Sequence, residues 1–309
     1  MERAAWVALS TVTGLGPARF RRLLDRFGSA SAALAVDPDE VRRELDLSPE
    51  AAAQIADFAR DLDRLSDEIA SLDEQGVTPL IWEDDEYPPR LLATSSPPSV
   101  LWRAGPADPC CPGGALAVIG SREVAEESLA FAREFAAEAG RAGIAVISGL
   151  AAGVDAAAHE GALGANAVTI GVCGCGLMTA LTRGRDGLAG AVVEAGGLCS
   201  ELMPTAPLTP QSLFSRDRII AGLAQATIVV EARADGGAVH TANLARREGR
   251  PVLVVKWPAD HSSTGNRQLI SGGGLSVPAE EGPAAALAAA MKAVPEAVPK
   301  AVPKAVSDD

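Results

Sequence analysis

The sequence predicts an α/β protein: a Rossmann-like, doubly wound, mostly parallel sheet behind a small helical domain. Three observations carry that reading. The apolar run Ile144-Ala145-Val146-Ile147 breaks on Ser148-Gly149 and leads into the small-residue helical pattern Val154 to His159. Upstream, Ala115-Leu116-Ala117-Val118-Ile119 breaks on Gly120-Ser121-Arg122 before another helix-like segment. From 115 to about 257, strand and helix patterns alternate. A buried strand that breaks on Gly and Ser and feeds a helix exposes backbone N–H groups at the helix start. Those groups and the helix dipole attract anions, phosphates above all. Two such turns in tandem point to a phosphate-binding edge on a doubly wound sheet.

Residues 1–76 read as a helical domain. Trp6, Val7, Leu9, Phe20, Leu23, Leu24 and Phe27 recur near helical spacing. Between them, Val12-Thr13-Gly14-Leu15-Gly16-Pro17 suits the sharp turn of a helix-hairpin-helix or SAM-like unit, with Pro17 in the first turn of the second helix. Such a turn can offer N–H groups to a DNA phosphate. The acidity of residues 37–86 makes a plain helix–helix turn the preferred reading. Residues 49–75 continue as amphipathic helix. Residues 77–114 read as an extended connector, with short strands at Ile81-Trp82 and Val100-Leu101-Trp102. Tyr87-Pro88-Pro89 and Ser96-Pro97-Pro98 are rigid pieces, and the acidic run Glu83 to Glu86 is a solvated face.

Residues 115–280 form the predicted Rossmann-like domain. Strands fall at 115–119, 144–147, 167–173, 197–200, 226–231 and 251–256, and helices at about 125–141, 153–163, 186–195, 215–224 and 238–248. Most strands are continuous apolar runs, as parallel strands covered on both faces should be. Gly120, Ser148, Gly174 and Glu231 then sit at carboxyl ends of strands, where the binding crevice of such a sheet lies. Residues 281–309 are a low-complexity tail. Ala284 to Ala290 suits a last helix, after which Ala293-Val294-Pro295-Glu296 recurs as Ala-Val-Pro-Lys at 297–300 and 301–304. Proline at every fourth residue forbids a helix there.

Composition narrows the function. The 309 residues are 48% apolar and carry a net charge of −13, which argues against nucleic acid on its face. The distribution softens this: residues 1–115 hold 11 Lys/Arg against 20 Asp/Glu, residues 116–270 hold 13 against 15. Any basic patch is therefore local, made by a few arginines that folding brings together. No apolar run approaches the ~20 residues of a membrane span, and Met1-Glu2-Arg3 leads into an amphipathic segment. A cytoplasmic protein without membrane contact is expected. The cysteines, Cys110, Cys111, Cys173, Cys175 and Cys199, suit no disulfide framework and lack the four-ligand spacing of a zinc site. Buried thiols are expected, with neither metal nor cofactor.

The candidate binding residues cluster at strand ends. Gly120, Ser121 and Arg122 combine close backbone approach, a hydroxyl and a guanidinium; Ser148 and Gly149 repeat the first two. Ser215-Arg216-Asp217-Arg218 places Arg216 and Arg218 near a helix start, with Ser215 as its N-cap. Arginine's planar donor fork matches phosphate. Gly236, Gly237 and Thr241 make a third glycine turn, and Asn266 and Arg267 follow the last strand. Asp155 and His159 share a helix face, a possible acid–base geometry that is more often a packing pair. The sequence has no G-x-S-x-G, no Walker A motif and no G-x-G-x-x-G before a ribose-binding acid. The site reads as built to hold phosphates, with no catalytic residue.

These residues also form a recognisable series: GSR at 120–122, SGLAAGVDAAAH at 148–159, GCGL at 174–177, Ser200-Glu201-Leu202 with Pro204, FSRDRIIAGL at 214–223, VVEA at 229–232, Gly236-Gly237 with Thr241-Ala242, and Gly265-Asn266 with Leu269-Ile270. The series resembles the DNA-processing protein A family, DprA/Smf, over residues 80–275. The Tyr87-Pro88-Pro89 and Pro97 to Trp102 pieces and the Gly14 to Ser29 stretch resemble it too. The resemblance implies a Rossmann-like domain that binds single-stranded DNA without base specificity and protects it. It also implies a homodimer, and a partner in the recombinase RecA, which such proteins help to load on incoming DNA in natural transformation. The family is not known as one of enzymes. Phosphate contacts carried over fall on Gly120, Ser121, Arg122, Ser148, Gly149, Arg216, Arg218 and the Gly236-Gly237 turn.

The chain departs from the family pattern at several places. Asp217 stands where Asn usually separates the two arginines. Met178-Thr179-Ala180 replaces an aspartate and Tyr-Pro, Gly236 to Thr241 replaces a Ser-Gly-Ser-x-Ile-Thr turn, and Lys256-Trp257-Pro258 replaces Val-Pro-Gly. The Ala-Val-Pro-Lys tail stands where many members carry a winged helix. Two alternatives stay open. One is a nucleotide-binding or nucleotide-hydrolysing Rossmann enzyme similar to the phosphoribohydrolases, suggested by Asp235-Gly236-Gly237. The other is a divergent scaffold of this family with weakened DNA binding.

Overall fold

The computed structural model describes residues 1–184, 187–258, 261 and 263–294. The N-terminal domain is helical: α1 (Glu2–Ser10), α2 (Pro17–Phe27), α3 (Ala30–Ala35), α4 (Pro38–Leu45) and α5 (Pro49–Glu74). Its boundaries are written in the sequence. Pro17, Pro38 and Pro49 occupy first turns, and the Ser29, Asp37 and Ser48 side chains accept N–H bonds as caps. Between α1 and α2 the chain turns at Gly14, whose φ of +84° suits glycine.

The strands are β1 (Val77–Ile81), β2 (Val100–Ala104), β3 (Ala115–Ile119), β4 (Ala145–Ser148), β5 (Thr169–Val172), β6 (Gly197–Ser200), β7 (Ala226–Val229), β8 (Val252–Lys256) and β9 (Leu275–Pro278). They form one sheet in the order β1-β2-β6-β5-β4-β3-β7-β8-β9. From β6 to β9 the pairing is parallel; β2 joins β6 and β1 joins β2 antiparallel. The later helices are α6 (Pro89–Leu92), α7 (Glu126–Arg141), α8 (Val154–Gly164), α9 (Leu177–Gly184), α10 (Leu188–Ala195), α11 (Pro210–Leu223), α12 (Gly237–Arg247), α13 (Thr264–Ser271) and α14 (Gly282–Ala293).

The central strand shows why its sequence carries no polar alternation. Leu116 and Val118 face α7, α8 and α14, whereas Ala115, Ala117 and Ile119 face α11, α12 and α13. Both faces are buried, so every position is apolar. Several elements were not apparent from local pattern. The stretch 77–114, read as a connector with two short strands, supplies β1 and β2 to the sheet, with β1 lying earlier than expected. Strand β9 and helices α9 and α13 were not expected, and α14 packs Ala286 and Ala290 against the sheet domain. Pro295 onward lies outside the described residues. No described helix is long and apolar enough to cross a membrane.

The helical domain is fastened to the sheet edge by an aromatic cluster. The Trp6 ring lies 4.7 Å from Phe20 and 5.5 Å, edge-on, from Trp82 at the end of β1. Arg21 sits over Trp82, and Arg3 pairs with Asp84 at 2.7 Å. Trp6 is fully buried, and its Nε1–H donates to Glu2. Replacing Trp6 with Ala should cost about 3–5 kcal/mol through the cavity and the lost ring contacts. A drop in the thermal midpoint measures it; an unchanged midpoint would show that the cluster does not hold the domain.

Candidate functional site

The sheet order places β3 at a topological switch point. Chain order runs from β3 outward through β4, β5 and β6, while β7 lies on the other side of β3. The loops after β3 and β7 therefore diverge and leave a crevice at their carboxyl ends. A cavity of about 390 Å³ opens there, bounded by the loop after β3, the first turn of α12 and one face of α11.

The loop after β3 is tightly held. A Cβ on Gly120 would meet Val154 Cγ2 at 2.4 Å and the Glu231 carbonyl oxygen at 2.8 Å, so only glycine fits. Ser121 N–H donates to Glu231 O at 2.8 Å, and Ser121 O accepts from Val154 N–H at 3.3 Å. The Ser121 hydroxyl accepts from Arg233 N–H at 3.2 Å and so joins the two loops. Arg122 is left exposed on the cavity wall.

Ser148 and Gly149 serve the cavity from behind. Ser148 is buried, and its hydroxyl donates to Val118 O at 2.7 Å. Gly149 makes room for Arg216: a Cβ there would lie 1.6 Å from Nη1. The nearby Asp155 is buried. Burial pushes its carboxyl above the usual range, opposed by Arg216 and by hydrogen bonds from Ala151, Ser148 and Gly149. Some donors of this turn thus serve the chain's own carboxylate. His159 is fully buried, with Nδ1 2.7 Å from Thr169 Oγ1. Burial, with Arg216 nearby, pushes its pKa down to about 3, so the ring is neutral and packed inward. The pair Asp155–His159 is a packing feature here.

Helix α11 corrects the sequence reading. Its N-cap is Thr209, with Pro210 in the first turn and Ser212 completing a capping box; Ser215 is interior. Arg216 and Arg218 therefore lie in the helix body, roughly 200° apart around its axis. Only Arg216 reaches the cavity. Arg218 turns the other way, bonding Glu201 through both Nη atoms and Ser96 O through Nε. Arg216 is buried.

Asp217 shares the cavity. Its Oδ1 lies 3.4 Å from Arg216 Nε, an ion pair without hydrogen-bond geometry. Burial pushes the Asp217 carboxyl up to about 6, against the pull of Arg216, the Thr241 hydroxyl and the nearby His240. Gly236 and Gly237 start α12, whose first turn leaves N–H groups without intrahelical partners. Thr241 Oγ1 donates to Gly237 O at 3.1 Å and steadies that turn.

Asn266 and Arg267 are not brought to the cavity. Asn266 is buried: Nδ2 donates to Val230 O and Val255 O, each at 2.8 Å, and Oδ1 accepts from Ala232 N–H. Arg267 is exposed and donates to His261 O at 3.1 Å. Two cavity residues were missed. Arg233, in the loop after β7, is exposed on the cavity wall, its Nε 3.4 Å from Asp235 Oδ1. Phe214 is 55% exposed, its ring edge-on to His240 at 5.4 Å. A lone Phe before a charged run reads as core; only the helix phase turns it outward. Among the described residues no group of three His, Cys, Asp or Glu side chains could hold a metal ion.

A crevice lined by three arginines, three carboxylates and a helix start, at the switch point of a doubly wound sheet, defines a Rossmann-like protein. Comparison with known proteins makes this specific: the chain belongs to the DNA recombination-mediator protein A family, whose model matches residues 78–281. Residues 1–60 match the DprA-like N-terminal HHH domain, which replaces the plain helix–helix turn preferred from the charge. The chain is 32% identical over 273 residues to a putative DNA processing protein DprA of Mycobacterium tuberculosis, covering 84% of this chain and 68% of that protein. It is 37% identical over 211 residues to protein Smf of Escherichia coli, covering 67% and 56%. The X-ray structure of DprA from Streptococcus pneumoniae superposes with a TM-score of 0.73 at 25% identity, covering 88% of this chain and 92% of that one. DNA processing protein A of Helicobacter pylori, in a structure of its single-stranded DNA binding mode, shares the fold at a TM-score of 0.59 and 22% identity, covering 71% and 97%.

Asn266 separates a structural role from a binding one. Asn266→Ala should cost about 2–4 kcal/mol by leaving buried backbone groups unpaired. Chemical denaturation reads the loss, which would be absent if Asn266 served only a ligand.

Proposed function

We propose that the crevice binds the sugar–phosphate backbone of single-stranded DNA without base preference. The observation that carries this is the convergence of Arg122, Arg216, Arg233 and the α12 start on one cavity. Guanidinium forks and helix N–H groups recognise phosphate and read no base. Phe214 at the same cavity supplies a stacking face, and stacking is tolerant of sequence. The single-stranded DNA binding mode described for the Helicobacter relative supports the choice of ligand. On this reading the chain is a non-enzymatic mediator that works in the cytoplasm as a homodimer. It protects incoming single strands and helps load RecA on them in transformation and recombination.

Fluorescence anisotropy with oligo-dT and a duplex of equal length, across a salt series, tests the reading. Tighter binding to the single strand is expected; equal or tighter duplex binding would overturn it. Arg122→Ala should flatten the log–log salt slope by about 0.7 and leave the thermal midpoint unchanged, because Arg122 is exposed. An unaltered slope would remove Arg122 from the interface. Phe214→Ala should weaken binding by about 1–3 kcal/mol with little change in salt slope. Undiminished affinity would show that no base rests on that ring. RecA loading is read as faster filament growth on strands precoated with single-strand-binding protein; no acceleration would restrict the role to binding.

A further inference from the structure

The crevice contains its own rival for the ligand. Asp217 lies on the wall that would receive phosphate, with its carboxylate 3.4 Å from the Arg216 Nε. Both side chains are about nine-tenths buried, at 7% and 11% exposure, so water does little to screen the pair. Among the described residues Asp217 is the only carboxylate within ion-pair distance of Arg216. The guanidinium is packed against Gly149, with no space for even a Cβ between them. A phosphate that reaches Arg216 must share it with a fixed negative charge or see that charge removed.

We propose that Asp217 competes with phosphate for Arg216, so that strand binding in this chain is coupled to proton uptake by the Asp217 carboxylate. The inference rests on the crevice being the strand site. The step is a simple exchange. The ion pair loses its anionic member when the carboxylate takes a proton from solvent. Arg216 keeps its charge, and a phosphate oxygen takes the vacated place beside it.

The surroundings set the direction. Asp217 faces Arg216 on its own helix, Thr241 and His240 on α12, and Asp155 on α8. Arg122 and Glu123 after β3, and Arg233 after β7, share the cavity with it. Burial already pushes the carboxyl up to about 6 in the free protein. A bound phosphate adds negative charge nearby and pushes it higher. Affinity is therefore greatest below about pH 6 and falls as pH rises, by roughly tenfold per unit while only the bound form keeps the proton.

The experiment is a titration of oligo-dT, which has no group titrating in this range, against wild type, Asp217→Asn and His240→Gln between pH 5.5 and 8. Wild type should lose affinity by at least tenfold over that span. Asp217→Asn should bind at every pH about as tightly as wild type does at pH 5.5. His240→Gln should keep most of the pH dependence. Calorimetry in two buffers of different ionisation enthalpy should show proton uptake near pH 7 for wild type and its loss in Asp217→Asn. Equal, pH-independent binding by wild type and Asp217→Asn would overturn the coupling and leave the crevice as the strand site. A pH dependence that survives in Asp217→Asn but vanishes in His240→Gln would also overturn it, by assigning the proton to the imidazole. No binding by any of the three proteins at any pH would remove the strand site, and the coupling with it.

Discussion

A guanidinium buried at the carboxyl edge of a parallel sheet is the constraint from which the crevice follows. Taking a cation out of water is costly unless opposite charge and dipoles surround it. The residues around Arg216 answer that cost. Gly149 has no side chain and lets the strand end approach the guanidinium. Asp217 supplies a carboxylate beside it, and Asp155 another from α8. His159, buried nearby, is held neutral. The SGLAAGVD stretch, which reads as a phosphate loop, is thus equally the housing of an arginine. Both roles require the same small residues, because each needs backbone within touching distance of a charge.

The rest of the fold serves to hold two loops still. The strand order makes the chain diverge after β3 and β7, and hydrogen bonds through Ser121 then stitch the divergent loops together. Asn266 secures the same region from below by joining Val230, Ala232 and Val255. Arg218 does the corresponding work on the far side of α11, tying the helix to Glu201 and to the segment before β2. Binding groups placed on such a frame need little reordering when an anion arrives, and the entropic cost of association falls accordingly.

Much of this was legible in the sequence. Continuous apolar runs gave the parallel strands, and Gly-Ser breaks marked where they end. The site was legible as a set of turns and only partly as a set of contacts. Arg218, Ser148 and Asn266 were expected to touch phosphate; each is bonded to the protein's own groups. For Arg218 the phase of α11 decided this, and the phase depended on a cap at Thr209 in a non-helical-looking Thr-Pro pair. Had the capping box been read first, the separation of Arg216 from Arg218 would have followed from helix geometry. Strands β1 and β9 were obscure for another reason. They are short edge elements whose identity is set by the neighbour they pair with, and a lone sequence window contains no neighbour.

The aromatic seam of Trp6, Phe20 and Trp82 has a meaning for the sheet's solubility. Strand β1 is an outermost strand, and an outermost strand offers unpaired backbone groups to any second sheet that meets it. In this chain α1 and α5 pack onto one face of that strand, and Arg3 of α1 donates to the Pro79 carbonyl in it. The opposite border is guarded more cheaply, by a strand of four residues that ends on Pro278, which has no N–H to donate. The helical domain therefore acts as a hem on the sheet. Separated from it, the remaining domain would present a raw border to other copies and tend toward edge-to-edge association, whatever its affinity for DNA.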